Sequence, residues 1–428
     1  MREGWLSSYF DGVGVKRLAA VDASTASNQH EVTGSRPLAR ILGEVDRNRP
    51  RGGADTRFHA TYIWLAAEQE AITEEGRLSW YDSRRKDPTR SAEWRLYYQD
   101  NAVTELMRPG DTLFVARRPD DHLMFIVTPD GSTTQSQLMW LFGLEGHPGL
   151  EFEPREIRGG NDAEIDYAAR YILDELGIEA EEPEADRLDA LIEPFGLSFP
   201  TTRQFSELAR RSLPEVSAMD SPDAALIAWM DREELLFRRL ERRIVAERIG
   251  AGFLSPDGAD VDGFLGFSLS VQNRRKSRAG QALENHLEAI FGAYGIRCTR
   301  GAETENRNRP DFLFPGREEY QNPDFPADGL TMLGAKSTLK DRWRQVLSEA
   351  VRIPAKHLLT LEPGVSENQT SEMQAKNLQL VVPQALHATY RPAQRNWLME
   401  LSAFVRLAAD RQARYGQPYT GLFRNERD

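Results

Sequence analysis

The chain has 428 residues, of which 40% are hydrophobic and 28% charged, and its formal net charge is −12 at pH 7. This balance is typical of a soluble globular protein and excludes a disordered or fibrous chain, while the length indicates two or three domains. No apolar run is long enough to span a bilayer and no secretory leader is visible, so we expect a cytoplasmic protein without a membrane partner. The single cysteine, Cys298, excludes an intrachain disulfide.

Short β-like runs separated by turn residues dominate the first 155 residues. Examples occupy residues 61–65, 94–98, 112–116 and 123–127, with Pro-Gly-Asp and Pro-Asp-Asp turns between some of them. This pattern predicts a compact β-barrel or sandwich with one or two helices, forming an N-terminal domain over residues 1–155.

Negative charge is concentrated in residues 151–190, which contain fourteen Asp or Glu against four Arg. Such a segment predicts an acidic linker over residues 156–195, although an ordinary solvated helix explains residues 168–176 equally well. Because the rest of the chain is close to neutral, the overall acidity does not exclude a nucleic-acid partner, which responds to local patches of charge.

Residues 196–428 have the pattern of one larger α/β domain. Apolar residues recur at helical spacing over residues 224–249 and again over 279–294. After the second helix we expect strands at 312–314 and 330–335, a helix at 341–353, and strands at 357–361 and 378–382. This order predicts a mixed sheet flanked by helices.

Two residues with catalytic potential mark consecutive predicted strands. Asp311, in a Pro-Asp pair, opens one strand, and Lys336 ends the next, 25 residues later. Carboxylates can hold cations at a scissile phosphate, and a lysine can stabilise the developing charge, so this pair indicates metal-assisted phosphodiester hydrolysis. A second Pro-Asp pair, at residues 323–324, lacks the apolar strand that follows Asp311.

The pair resembles the signature of the PD-(D/E)XK nucleases, whose aspartate and lysine lie on adjacent strands. That signature has an acid two residues before the lysine, yet Gly334 occupies this position. Glu349, on the predicted following helix, can supply the missing acid, and its spacing places it on one helix face with Arg342 and Gln345.

The resemblance then narrows to the EcoRII group of type II (type IIE) restriction endonucleases. It rests on SRAG at residues 277–280, PDFLFP at 310–315 and KSTLKDRWRQ at 336–345, and it extends over about residues 199–428. It implies catalytic roles for Asp311, Lys336, Glu349 and Glu284, with Mg²⁺ held by the three acids. Considered alone, Glu284 and Glu349 are equally consistent with solvated helical glutamates.

A charged triplet, Lys340-Asp341-Arg342, directly precedes the predicted helix of Glu349. Forked cations bind guanine edges, and a carboxylate accepts a hydrogen bond from cytosine N4. A helix start with Asp341 as its N-cap is the alternative, although two basic residues there oppose the helix dipole. The resemblance implies that the triplet reads a short GC-rich pseudo-palindrome with CC/GG half-sites.

Two further basic clusters are candidates for DNA contact. The first precedes the Glu284 helix and suits phosphate contacts; it comprises Arg274, Arg275, Lys276 and Arg278. The second lies in the N-terminal part, where the EcoRII group carries a β-pseudobarrel effector domain that binds a second copy of the target. Its residues are Arg84, Arg85, Lys86 and Arg90, with Lys16 and Arg17 on a weaker second arm.

We therefore expect a Mg²⁺-dependent, site-specific endonuclease from a prokaryote that makes double-strand cuts in DNA. A twofold cut at a near-palindrome predicts a homodimer. One alternative is a nonspecific repair or recombination nuclease built on the same core, which a discrete fragment pattern would exclude. Another is a DNA-binding regulator with an inactive core, which Mg²⁺-dependent cleavage would exclude.

Overall fold

The structure is a computed structural model that describes residues 4–23, 30–44, 56–67, 69–85, 87, 89–157, 162–180, 185–255, 258–340 and 342–415. The chain divides into two compact units. The first comprises Met1–Glu181, Pro363–Asn368 and Thr389–Arg391, and the second comprises Glu182–Glu362, Gln369–Ala388 and Pro392–Asp428. Over the described ranges, no helix combines the length and the apolar character that crossing a membrane requires.

An eight-stranded sheet forms the first unit. Its strands are β1 (Gly12–Arg17), β2 (Glu31–Thr33), β3 (Thr56–Trp64), β4 (Ile72–Asp82), β5 (Trp94–Tyr98), β6 (Thr112–Arg117), β7 (Leu123–Thr128) and β8 (Glu153–Glu156). Their spatial order is β2-β5-β4-β3-β7-β6-β1-β8, and only β3 and β7 run parallel. Helices α1 (Ala39–Leu42), α2 (Thr133–Leu141) and α3 (Tyr167–Glu175) accompany the sheet.

Both faces of this sheet are covered by apolar side chains. Along β7, Phe125 and Val127 join one buried cluster, while Met124 and Ile126 join another on the opposite face. The sheet also curls, because Ser35, just after edge strand β2, donates its hydroxyl to the carbonyl of the residue before edge strand β8, at 3.3 Å. Strand β7 is therefore a continuous apolar run rather than an alternating one.

The acidic segment over residues 156–195 is shared between the two units. In α3, Ile172 and Leu173 pack into the core of the first unit, and in α4 (Ala185–Ile192), Leu188 and Ile192 pack into that of the second. The prediction of a linker over this whole segment is therefore wrong. Amphipathic helices expose their acids while they bury an apolar face, and the division falls between Glu181 and Glu182.

Two long helices dominate the second unit. After α5 (Thr202–Arg211), α6 covers Pro222–Ala251 and α7 covers Val261–Ala293, with a short hairpin of β9 (Leu254–Ser255) and β10 (Gly258–Ala259) between them. Asp260 caps α7 by accepting the Gly263 amide at 2.9 Å. Helix α7 thus begins 18 residues before the predicted start, because an N-cap aspartate begins a helix that its glycine-rich first turns do not suggest.

A mixed five-stranded sheet lies at the centre of this unit. Its strands are β11 (Thr299–Arg300), β12 (Phe312–Phe314), β13 (Thr331–Lys336), β14 (Lys356–Thr360) and β15 (Leu378–Val381), in that spatial order. Strands β12 and β13 are antiparallel, while β13, β14 and β15 are parallel. The remaining helices are α8 (Arg317–Gln321), α9 (Trp343–Val346), α10 (Glu367–Ala375), α11 (Pro392–Arg395) and α12 (Leu401–Tyr415).

Aromatic packing fixes α7 against this sheet. The ring of Phe291 lies edge-on to Phe312 at 5.3 Å and to Phe314 at 5.0 Å, and Phe404 of α12 lies 6.2 Å away. Phe291 and both β12 phenylalanines are at most 1% exposed. This contact holds the middle of α7 beside the start of β12.

Replacing Leu287 by Ala tests this packing. Leu287 is fully buried in α7, so its truncation should lower the free energy of unfolding of the second unit by about 2–5 kcal/mol. Urea denaturation measures the loss. Leu197→Ala is the matched control, because Leu197 is 50% exposed and should change stability by less than about 0.5 kcal/mol. Equal effects of the two substitutions would contradict the packing.

Candidate active site

Asp311 and Lys336 meet at the junction of β12 and β13. The antiparallel register sets Phe312 opposite Leu333, which brings the residue before β12 next to the end of β13. One oxygen of Asp311, Oδ2, accepts both the Ala335 amide and the Lys336 ammonium, each at 2.7 Å. The two side chains are 16% and 19% exposed. The predicted pair is therefore assembled and reachable from solvent.

Gly334 leaves no room for an acidic side chain. A Cβ added there would lie 3.0 Å from Val346 Cγ2 and 3.3 Å from Leu358 Cδ1, closer than nearly all van der Waals contacts. Val346 belongs to α9 and is fully buried. The space of the usual second acid is thus filled by the helix that leads toward Glu349.

Glu349 lies on a turn and not on a helix. Helix α9 ends at Val346, and Ala350 adopts a positive φ of 47°, so the prediction of a helix over 341–353 with Arg342 and Glu349 on one face is wrong. Burial raises the pKa of Glu349 to about 7, and the charge of Asp311 adds to the rise, while Lys336 and Lys356 oppose it. Its Oε2 is buried and has no hydrogen-bond partner among the described residues.

Side chains from three directions hold the turn that carries Glu349, residues 347–353. Each bond joins a side chain to a backbone group of the turn. They run from Asn308 Nδ2 to the Ser348 carbonyl at 2.8 Å, from the Val351 amide to Glu305 Oε2 at 3.2 Å, and from Lys356 Nζ to the Ile353 and Ala350 carbonyls at 2.7 and 3.3 Å. Lys356 is 8% exposed. We call this set of bonds the clasp.

The predicted Glu284 also lies near Asp311. It projects from α7, and burial together with the charge of Asp311 raises its pKa, while Arg300 and Lys336 oppose the rise. Arg300 of β11 donates to Glu284 Oε2 at 2.6 Å and to Asn285 Oδ1 at 2.8 Å. Sequence reasoning missed Arg300, because an isolated arginine on a two-residue strand has no distinguishing pattern.

The site therefore gathers three carboxylates around one lysine. Mutual repulsion and burial raise the pKa of two of them, which indicates a deficit of positive charge. Across the described ranges, no three His, Cys, Asp or Glu side chains already converge with the geometry of metal ligands. Asp311 and Glu349 form a pair of acids, and the pair fits an ion that takes its other ligands from water and phosphate.

The base-reading triplet is only partly described. Lys340 and Arg342 lie on the loop between β13 and α9, and Asp341 lies outside the described residues. The Leu339 amide donates to the buried carboxylate of Glu362, which anchors the loop from below. Arg342 is exposed and donates to the Thr338 carbonyl at 2.7 Å.

The basic cluster on α7 is mainly engaged within the protein. Arg278 is 6% exposed, lies 3.5 Å from Glu233, contacts Glu234 and stacks over Phe237. The prediction that it binds a phosphate is therefore wrong, because this face of α7 packs on the carboxylates of α6. Arg275 donates to Glu241 Oε2 at 2.6 Å.

Arg274 remains on the exposed face of α7. It is exposed and stacks over the ring of Phe199 at 4.2 Å. The side chain of Lys276 lies outside the described residues. Of the four predicted members of this cluster, Arg274 is thus the described residue best placed to meet a phosphate.

In the first unit, three predicted DNA contacts lie in the connection between β4 and β5. Arg84 pairs with Glu93 at 3.0 Å, Arg85 lies over the ring of Tyr81, and Arg90 is exposed. Lys86 lies outside the described residues.

The weaker arm of the first unit is not as predicted. Lys16 is 1% exposed, with its ammonium 2.8 Å from Asp22 and 3.1 Å from the Thr33 carbonyl. The prediction of a DNA contact by Lys16 is wrong, because this buried cation already has a full set of internal acceptors. Arg17, the next residue, is half exposed and donates to the Gly110 carbonyl at 3.3 Å.

Comparison with known proteins adds a family to this geometry. Residues 237–405 match the family model described as EcoRII C terminal. The type II restriction enzyme EcoRII of Escherichia coli is 40% identical over 402 residues, which cover 93% of each chain. The type II restriction enzyme SsoII of Shigella sonnei is 27% identical over 222 residues, covering 46% of this chain and 70% of that protein.

A solved structure of metal-depleted Ecl18kI in complex with uncleaved, modified DNA is also similar. It matches with a TM-score of 0.42 and 18% identity, over 55% of this chain and 86% of that chain.

Replacing Glu349 by Gln tests the electrostatics of the site. A carboxyl whose pKa is about 7 in the folded chain and about 4.3 when unfolded binds more protons in the folded state. Folding stability therefore falls as pH rises through this window. Without divalent metal, E349Q should unfold at a higher temperature than the parent at pH 8, and the difference should shrink toward pH 5.

Thermal unfolding at several pH values in EDTA measures this difference. Glu318→Gln is the control, because Glu318 is exposed on α8 and its replacement should leave the profile unchanged. A parent chain no less stable than E349Q at pH 8 would refute the buried, electrostatically opposed carboxylate.

Proposed function

Because the chain belongs to the EcoRII family of type II restriction endonucleases and is a site-specific DNA nuclease, we propose that it cuts both strands of duplex DNA with Mg²⁺ at a short GC-rich pseudo-palindrome. The observation that carries the proposal is the convergence of Lys336 and two acids, Asp311 and Glu349, at the edge of the mixed sheet.

Asp311 and Glu349 are the residues that would hold the ion. Mg²⁺ is usually bound by one or two carboxylates, and phosphate oxygens and waters complete its shell. The buried, unpartnered Oε2 of Glu349 fits this role, and so does the free lone-pair capacity of Asp311. Glu284 is an additional acid whose present partner is Arg300. When bound, Mg²⁺ would supply Lewis-acid polarisation of the phosphate and a more acidic water.

Lys336 supplies a second positive charge at the reacting phosphate. Its ammonium is fixed by Asp311 Oδ2 at 2.7 Å, yet it retains two further N–H donors. These donors can stabilise the charge that develops on a phosphoryl oxygen or on the attacking hydroxide. Because the pair is preorganised, this stabilisation requires little rearrangement in the transition state.

The loop of Lys340, Asp341 and Arg342 is proposed to read the bases. Arg342 is exposed, and Glu362 anchors the loop through the Leu339 amide. A forked guanidinium on guanine and a carboxylate on cytosine suit CC/GG half-sites. Arg274 on α7 is the accompanying candidate for a phosphate contact.

The first unit is proposed to be a pseudobarrel effector domain that binds a second copy of the target. The curl of its eight-stranded sheet supports the barrel-like description. Arg84, Arg85 and Arg90 lie together in one connection and, with the undescribed Lys86, are proposed to contact DNA there. We also propose a homodimer, because one set of catalytic residues per chain cuts one strand at a time.

Replacing Lys336 by Ala should abolish cleavage and leave DNA binding nearly unchanged. Loss of one preorganised donor at a developing charge typically slows a reaction by about a hundredfold to a thousandfold. Plasmid cleavage with Mg²⁺ and gel-shift binding with Ca²⁺ measure the two properties. The control is Lys376→Ala, at an exposed lysine after α10. A K336A variant that cleaves at the parent rate would remove Lys336 from the mechanism.

Replacing Lys356 by Met should weaken metal binding through the clasp. Lys356 touches the backbone of the Glu349 turn through the Ile353 and Ala350 carbonyls, and loss of such supporting contacts typically costs about tenfold to a hundredfold in metal affinity or activity. The Mg²⁺ concentration for half-maximal cleavage should rise, while the KM for DNA changes little.

Amide hydrogen exchange at Val351 provides a separate readout. It should accelerate in K356M and remain unchanged in Lys376→Met, a matched exposed control. An unchanged Mg²⁺ requirement together with unchanged exchange would show that the clasp does not position Glu349.

A further inference from the structure

The end of the hairpin formed by α6 and α7 carries a concentration of exposed apolar side chains. Twelve large hydrophobic residues are exposed in the described chain, and six of them lie within residues 249–269. We call them the hairpin patch: Ile249 (59% exposed), Leu254 (80%), Val261 (61%), Phe264 (47%), Leu265 (51%) and Leu269 (59%). Scattered apolar residues need no explanation, but a contiguous group usually marks a binding surface.

Four members of the patch form a stripe along α7. Residues 261, 264, 265 and 269 have the spacing that places side chains on one side of a helix. Phe253, by contrast, faces inward. Its ring packs against Phe264 at 5.4 Å and Phe267 at 5.7 Å, with Arg248 stacked on it at 3.9 Å. The hairpin end is therefore a folded element that presents an ordered apolar stripe outward.

The charge of this segment disfavours DNA as its partner. Residues 249–273 contain no Lys, Arg or Glu, and their charged residues are three aspartates at 257, 260 and 262. Binding to a phosphate backbone depends on cations, and a segment without cations lacks that attraction. An apolar centre poor in charge is instead characteristic of homodimer interfaces.

We propose that the hairpin patch is the surface through which two copies of this chain associate. The inference rests on the proposed double-strand cleavage, which needs two sets of Asp311 and Lys336, whereas each chain has one. A twofold axis would bring the same patch of each copy together.

The size of the patch is consistent with a dimer interface. A half-exposed large side chain presents roughly 100 Å², so the six residues present on the order of 600 Å² per copy. A stable interface buries about 800 Å² per partner, part of it in a polar rim. The patch thus supplies most of the area that a second copy requires.

Pairing at this surface would also set the spacing between the two active sites. Leu265 and Glu284 lie on the same continuous helix, α7, and are separated by about 28 Å along its axis. A twofold axis near the patch would thus connect the two catalytic centres through two rigid helices.

The test is the mass of the full chain in solution. Sedimentation equilibrium at micromolar concentration should give twice the monomer mass for the parent. The double variant Leu265→Glu with Leu269→Glu should dissociate at least tenfold more readily, because four carboxylates would face one another across the axis. Both side chains are at least half exposed, so the variant should retain the circular dichroism and thermal unfolding of the parent.

Met219→Glu is the matched control, since Met219 is 57% exposed outside the patch; this variant should remain dimeric. A monomeric parent, or a double variant that remains as dimeric as the parent, would overturn the proposal. So would an unchanged dimer mass with weakened DNA binding, which would assign the patch to DNA. On supercoiled plasmid, the dissociated variant should accumulate nicked circles. Failure of the dimeric parent to cut DNA would contradict the proposed function and leave the mass result intact.

Discussion

The site depends on holding Glu349 beside Asp311 against electrostatic repulsion. Two carboxylates in a partly buried position oppose each other's ionisation, and burial raises the pKa of Glu349 to about 7. Two lysines offset the repulsion. Lys336 binds Asp311 directly, and Lys356 binds the turn that carries Glu349. The remaining unfavourable energy is offset by the bonds of the clasp and is relieved when a cation is bound.

Helix α9 connects the proposed base-reading loop to the metal-binding turn. The loop with Lys340 and Arg342 precedes this four-residue helix, and Glu349 follows it. Trp343 and Val346 of α9 are fully buried, and Val346 fills the space beside Gly334. A shift of the loop on DNA would therefore be transmitted through a rigid, packed helix to the Glu349 turn. Recognition and cleavage are linked mechanically in this arrangement.

Regular elements could be predicted from the sequence, and tertiary contacts could not. The neighbouring positions of Asp311 and Lys336 followed from two apolar strands with catalytic residues at their ends, and the order of strands in the mixed sheet followed from the same periodicity. The turn at Glu349 was missed, because Lys356 and Glu305 stabilise it from distant positions. Arg278 and Lys16 were assigned to DNA, because a sequence does not reveal that a buried acid waits opposite a cation.

The central claim is that Asp311 and Glu349 share one divalent ion at the scissile phosphate. Anomalous diffraction from crystals of the full chain with duplex DNA and Mn²⁺ tests it most directly. The account predicts a manganese peak bonded to a carboxylate oxygen of each residue and to one phosphate oxygen. A peak bonded to Asp311 without Glu349, or one located away from both carboxylates, would contradict it.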